Sequence, residues 1–118
     1  MSTLQTVLEE AYDAFNRRDL AAIRSLMHPN VVWPDTLDSG APYVGLEAVM
    51  GQFARIFATI VPNIALIRVT AESDDALTVE SQYSVESPDG HVWTDTRATL
   101  TYHFRDGRLS GLTIVGGL

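Results

Sequence analysis

One change of rhythm governs what this chain can fold into. Before Pro62 the apolar residues recur at helical spacing; after it they alternate one by one, as in strands. The second half divides into Ile64 to Glu72, Ala76 to Ser87, His91 to Arg105 and Arg108 to Val115. The turn sequences SDD, PDG and DG separate these runs. Turns this short join antiparallel neighbours, so a meander of consecutive hairpins is expected. Strands this long must twist strongly.

The first half supplies helices to cover such a sheet. In STLQTVLEEAYDAFNRR, Ser2 and Gln5 have the spacing of a capping box. Leu4, Val7, Leu8, Ala11 and Phe15 form one stripe of that helix. Asp19 is placed to cap a short second helix, LAAIRSLM, which His28 and Pro29 should end. NVVWPD reads as a short strand and TLDSGAPYVG as a loop. LEAVMGQFARIFATI reads as a third helix, with Gly51 inside it as the mark of a close contact. Helices followed by an antiparallel meander make an α+β fold. A curved sheet wrapped around three helices encloses a cone, a shape suited to small ligands.

On the third long strand Thr94, Thr96, Ala98, Leu100, Tyr102 and Phe104 share one face, expected to look into the cone. His91, Trp93, Asp95, Arg97, Thr99, Thr101 and His103 share the other. An aromatic and arginine set on that outer face suits an interface between proteins.

Composition removes several kinds of chemistry. The 118 residues suit one domain spanning 1–118. Cysteine is absent, so there are no disulfides or thiolate nucleophiles. Lysine is absent too, which excludes Schiff-base catalysis and a P-loop. A net charge of −7 opposes nucleic-acid binding. His28, His91 and His103 lack zinc-site spacing, so no metal is expected; glycine-rich nucleotide loops are missing, so no cofactor is expected. His28, at a helix end, is expected to interact with terminal carbonyls. No apolar run reaches membrane-spanning length. The N-terminus lacks a signal-peptide layout, and a cytoplasmic location is expected.

The segments AFNRRDLAAIRSLMHPNVVWPDT and YVGLEAVMGQF, in this order of elements, resemble the SnoaL-like group of the nuclear transport factor 2-like superfamily. That group includes polyketide cyclases and relatives of ketosteroid isomerase. The resemblance implies a conical α+β barrel around an apolar cavity, often a homodimer packed through the outer face of the sheet. It also places Asp35 where ketosteroid isomerase keeps its general-base aspartate. That enzyme stabilises the developing oxyanion with a tyrosine on the first helix and a protonated aspartic acid on a long strand. Here those two positions fall on Ala11 and Leu100, so both donors are missing from their places.

The candidate catalytic residues are therefore Asp35 and, as a substitute donor, Tyr12. Burial among Trp33, Phe53 and Phe57 would raise the pKa of Asp35, as suits a general base. Phe15, Tyr83, Ala98, Leu100 and Tyr102 complete the expected pocket. Two functions are compatible with this set. One is a cofactor-independent proton-transfer enzyme, of isomerase or cyclase type, acting on a small apolar carbonyl compound. The other is a non-catalytic module that binds a hydrophobic ligand or a second copy of itself.

Overall fold

The computed structural model describes residues 3–36 and 40–117. Ser2 of the expected capping box lies outside them. Helices α1 (Thr3–Asn16), α2 (Leu20–Ser25) and α3 (Leu46–Thr59) alternate with strands β1 (Met27–Trp33) and β2 (Tyr43–Val44). Strands β3 (Val61–Glu72), β4 (Ala76–Glu86), β5 (Val92–Arg105) and β6 (Arg108–Gly116) follow. All strands join one open sheet in the order β2-β1-β6-β5-β4-β3.

The hairpins from β3 to β6 are antiparallel, as the turns require. The sheet as a whole is mixed, however, because β1 lies parallel to β6. Turn chemistry could not reveal this pair, since its partners stand far apart in sequence. The same pairing shortens α2. Leu109 donates its N–H to Leu26 O at 2.9 Å, and Met27 pairs with Leu109. Met27 and His28 are thereby drawn into β1 rather than a longer helix. The expected loop contains the two-residue β2, held by pairing of Tyr43 with Trp33 and Val44 with Val32. Part of that loop, residues 37–39, lies outside the described residues.

Local signals act at the junction of α1 and α2. Asp19 N donates to Ala14 O at 2.9 Å and Arg18 N to Phe15 O at 3.0 Å. These are the two bonds of a Schellman ending, with Arg18 in the left-handed region at φ 56°. The Asp19 carboxylate then accepts from Ala22 N at 3.1 Å and starts α2. Asn16 closes the free edge of the sheet. Its amide donates to Ile64 O at 2.8 Å and its carbonyl accepts from Ile64 N at 2.9 Å. The side chain thus satisfies both edge groups of a β3 residue, as a neighbouring strand would.

The core fills the space between the helices and the concave face of the sheet. Leu8 on α1, Val49 on α3 and Leu77, Val79, Leu100 and Leu109 on the strands are fully buried there. Register shifts interrupt β3–β4, β4–β5 and β5–β6. Each inserts local bend and twist, the deformation a sheet needs to curl around helices. A Cβ on Gly51 would meet open space. The expected close contact at that glycine is absent, because it lies on the exposed side of α3.

Candidate functional site

A cavity of about 610 Å³ opens between the helices and the sheet. Helix α1 lines it with Leu8, Ala11, Tyr12 and Phe15, one helical face. Helix α3 adds Phe53 and Ile56, and Ile60 follows directly after its end. Trp33 enters from the end of β1, followed by Asp35 and Thr36. Tyr83 and Val85 come from β4, and Leu100 and Tyr102 from β5. Trp33 packs on Phe53 at 5.8 Å between ring centroids and on Tyr102 at 6.1 Å. The wall is therefore largely apolar, with a few hydroxyls and, among the described residues, one carboxylate set into it.

Two of those hydroxyls, on Tyr12 and Tyr102, belong to a buried chain with Ser81. The Tyr12 hydroxyl lies 2.8 Å from Ser81 Oγ and 2.9 Å from the Tyr102 hydroxyl. All three residues are buried, Ser81 completely. The Tyr12 and Tyr102 rings meet edge to face, 5.8 Å apart. A phenol has one proton, so Tyr12 donates to one neighbour and accepts from the other. If Ser81 donates to Tyr12 and Tyr12 to Tyr102, the Tyr102 proton is left for the cavity. Burial, and then the nearby Tyr12 and Tyr83, hold the Tyr102 hydroxyl well above the ordinary tyrosine range. Burial raises Tyr12 too, partly offset by its bonds to Ser81 and Tyr102. Burial likewise raises Tyr83, whose hydroxyl no other described residue holds. At neutral pH this end of the cavity is a cluster of proton donors.

Asp35 stands half-buried in the wall, and its Oδ2 accepts from Gly40 N at 3.3 Å. Gln52 braces the segment from behind, its Nε2 donating to Pro34 O at 3.2 Å. Gln52 is almost fully buried, and its Oε1 has no partner among the described residues. Its sequence signal is weak: an amide three residues after Val49 and one before Phe53, on the same side of the helix as the apolar residues.

Most of the expected pocket residues come together: Asp35, Tyr12, Phe15, Trp33, Phe53, Tyr83, Leu100 and Tyr102 all line the cavity. Phe57 and Ala98 do not. Phe57 packs behind Phe15, at 5.2 Å between rings, so it supports the wall without facing the space. Ala98 is buried in β5 but is not among the residues that line the cavity. Trp93 is displaced the other way: expected on the outer face, it lines the cavity. The histidines lie elsewhere. His28 sits in β1 rather than at a helix end; its Nδ1 accepts from Asn30 N at 3.0 Å and its Nε2 faces Asp106 Oδ2 at 3.3 Å. Among the described residues no group of three or more acidic or histidine side chains could hold a metal ion.

A mixed α+β sheet curled around three helices, with an apolar cavity between them, defines the nuclear transport factor 2-like cone. The chain belongs to the SnoaL-like domain family, whose match runs over residues 8–111. No curated protein matches the sequence significantly. Among solved structures, TerC co-crystallised with polyporic acid is 22% identical; the likeness covers 97% of this chain and 91% of that one, with TM-score 0.80. RV0760c from Mycobacterium tuberculosis in complex with estradiol-17beta-hemisuccinate is 17% identical over 100% and 96%, with TM-score 0.85. The Delta 5-3-ketosteroid isomerase from Mycobacterium sp. is 14% identical over 98% and 94%, with TM-score 0.83. At these identities the likeness shows a shared fold. No described helix is long and apolar enough to cross a membrane.

Proposed function

We propose that the protein is a cofactor-independent proton-transfer enzyme acting on a small, largely apolar carbonyl compound. The observation that carries this reading is the presence of a carboxylate, Asp35, in the wall of the same apolar cavity as the tyrosine hydroxyls. The ketone enters with its ring against Trp33 and Phe53. The Asp35 carboxylate takes a proton from the carbon next to the carbonyl. The electron pair moves onto the carbonyl oxygen, which accepts hydrogen bonds from Tyr102 and Tyr83. Asp35 then returns the proton to a different carbon, and a double bond shifts into conjugation. Tyr12 and Ser81 act behind Tyr102, orienting its hydroxyl and feeding it a hydrogen bond. Donors fixed in a dry site stabilise such charge with little reorganisation. This arrangement would replace the donors missing at Ala11 and Leu100.

The reaction is tested with cyclohex-3-enone and larger cyclic β,γ-unsaturated ketones, whose isomerisation creates an ultraviolet-absorbing enone. Asp35→Asn keeps the size and is expected to fold normally while losing about 10²–10⁴-fold in turnover. Unchanged turnover in that variant would remove Asp35 from the chemistry.

A non-catalytic reading draws on a different observation: Asp35 already accepts from Gly40 N. In that case the same cavity holds an apolar ligand without converting it, and ligand-dependent thermal stabilisation survives Asp35→Asn. Pairing of two copies across the outer sheet face, which the family resemblance implies, is compatible with both readings, since the cavity lies on the inner face.

A further inference from the structure

The lip of the cavity carries an aromatic side chain that the proposed chemistry does not use. Strict alternation along β5 would send Trp93 outward with Asp95 and Arg97. The register shows why it does not go there. Val85 pairs with Thr94 but Glu86 pairs with Val92, which leaves Trp93 as the extra residue of a β-bulge. A bulge re-aims one side chain, and this one turns the indole onto the cavity wall beside Thr94 and Thr96.

The topology fixes where along the cavity this happens. Asp35 follows the C-terminal end of β1, which is parallel to β6, and Trp93 stands at the start of β5, which is antiparallel to β6. Both therefore lie at the same end of the sheet. The β5–β6 ladder stops at Thr99 and Gly116, so residues 92–98 of β5 have β4 alone as a ladder partner. At this end β5 is the edge of a three-stranded part of the sheet, β3–β4–β5, that reaches past β6, with Trp93 near its end. Trp93 is 61% exposed, whereas Trp33, deep in the same cavity, is 7% exposed. A lone exposed apolar residue needs no explanation. An indole that a bulge has moved from the outer face to the cavity lip is a different case.

We propose that Trp93 is a specificity-determining residue. Its indole forms an aromatic shelf for the outer end of a flat, extended ligand, aryl or fused-ring, whose polar group reaches inward to the tyrosine hydroxyls. Compact ligands that fit below the lip gain nothing from it. The inference rests on ligand binding in the cavity, and it holds whether or not Asp35 performs chemistry.

Two neutral probes test it, since a net charge of −7 disfavours anionic dyes. N-phenyl-1-naphthylamine is flat and extended; 2-adamantanone is compact and is measured by displacing it. Trp93→Ala, at an exposed position, is expected to weaken the flat probe about tenfold and the compact one less than about twofold. Trp93→Phe keeps most of the flat probe's affinity. Equal affinity of both probes for the wild type and Trp93→Ala overturns the shelf while leaving the cavity as a ligand site. Equal weakening of both probes also overturns it, as loss of packing alone. If the wild type binds neither probe, the shelf and the ligand-binding reading fall together.

Discussion

Tyr102 shows how much a single residue's surroundings decide. On the sequence it is one aromatic among several on an inward strand face. In the fold it is sealed against Trp33 and Tyr12, with its hydroxyl at the end of a chain that begins at Ser81. Its raised pKa has a consequence for stability. Folded Tyr102 keeps its proton at a pH where the unfolded chain's tyrosine, with an ordinary value of about 10, has begun to lose it. The stabilisation is complete below about pH 10 and declines as pH rises beyond it. Tyr12 and Tyr83 shift in the same direction and act with it. The melting temperature of the wild type is expected to fall steeply above about pH 10, and that of Tyr102→Phe less steeply. Parallel slopes in the two proteins would mean that Tyr102 contributes nothing to the alkaline loss. At this scale the sequence was informative where side chains obey their local pattern. Asp35 was legible because a buried-type strand ends at Trp33 and Pro34 just before it. Trp93 was not, because the bulge at the start of β5 re-aims it while the residues from Thr94 onward keep the alternating pattern. Gln52 was not, because its partner is a carbonyl on a distant segment.

The elements were readable where their causes are local. Asp19 caps α2 through its own side chain, and the SDD, PDG and DG turns set the hairpins. They were misread where a distant partner intervenes: β6 draws Met27 and His28 into β1, and β1 makes a strand of Tyr43–Val44. Helix α3 offers a test of the same distinction. Gly51 sits mid-helix on an exposed side, at a negative φ, with open space where a Cβ would go. Nothing in the packing requires glycine there. Gly51→Ala should therefore stabilise the protein by about 0.5–1 kcal/mol, measured by urea unfolding. A destabilised variant would show that some contact needs the bare backbone at this position.

For the whole molecule, periodicity and order of elements were enough to indicate an α+β cone, and the family match agrees. The parallel β1–β6 pair and the open sheet were not legible, because pattern does not name strand partners. Function is a separate question, since one fold carries many chemistries. The neighbours include a ketosteroid isomerase, but the donors here stand in other places than the resemblance provides, with Tyr12, Tyr102 and Tyr83 gathered in one cavity wall. The central claim is that an apolar ketone lies between these hydroxyls and Asp35. Its most direct test is a crystal structure of the Asp35→Asn protein, slowed in turnover, soaked with a cyclic β,γ-unsaturated ketone. The account predicts the carbonyl oxygen within about 3 Å of the Tyr102 or Tyr83 hydroxyl, and the carbon next to the carbonyl beside residue 35. A ketone bound outside the cavity, or seated in it with its oxygen turned away from the tyrosines, would contradict the account.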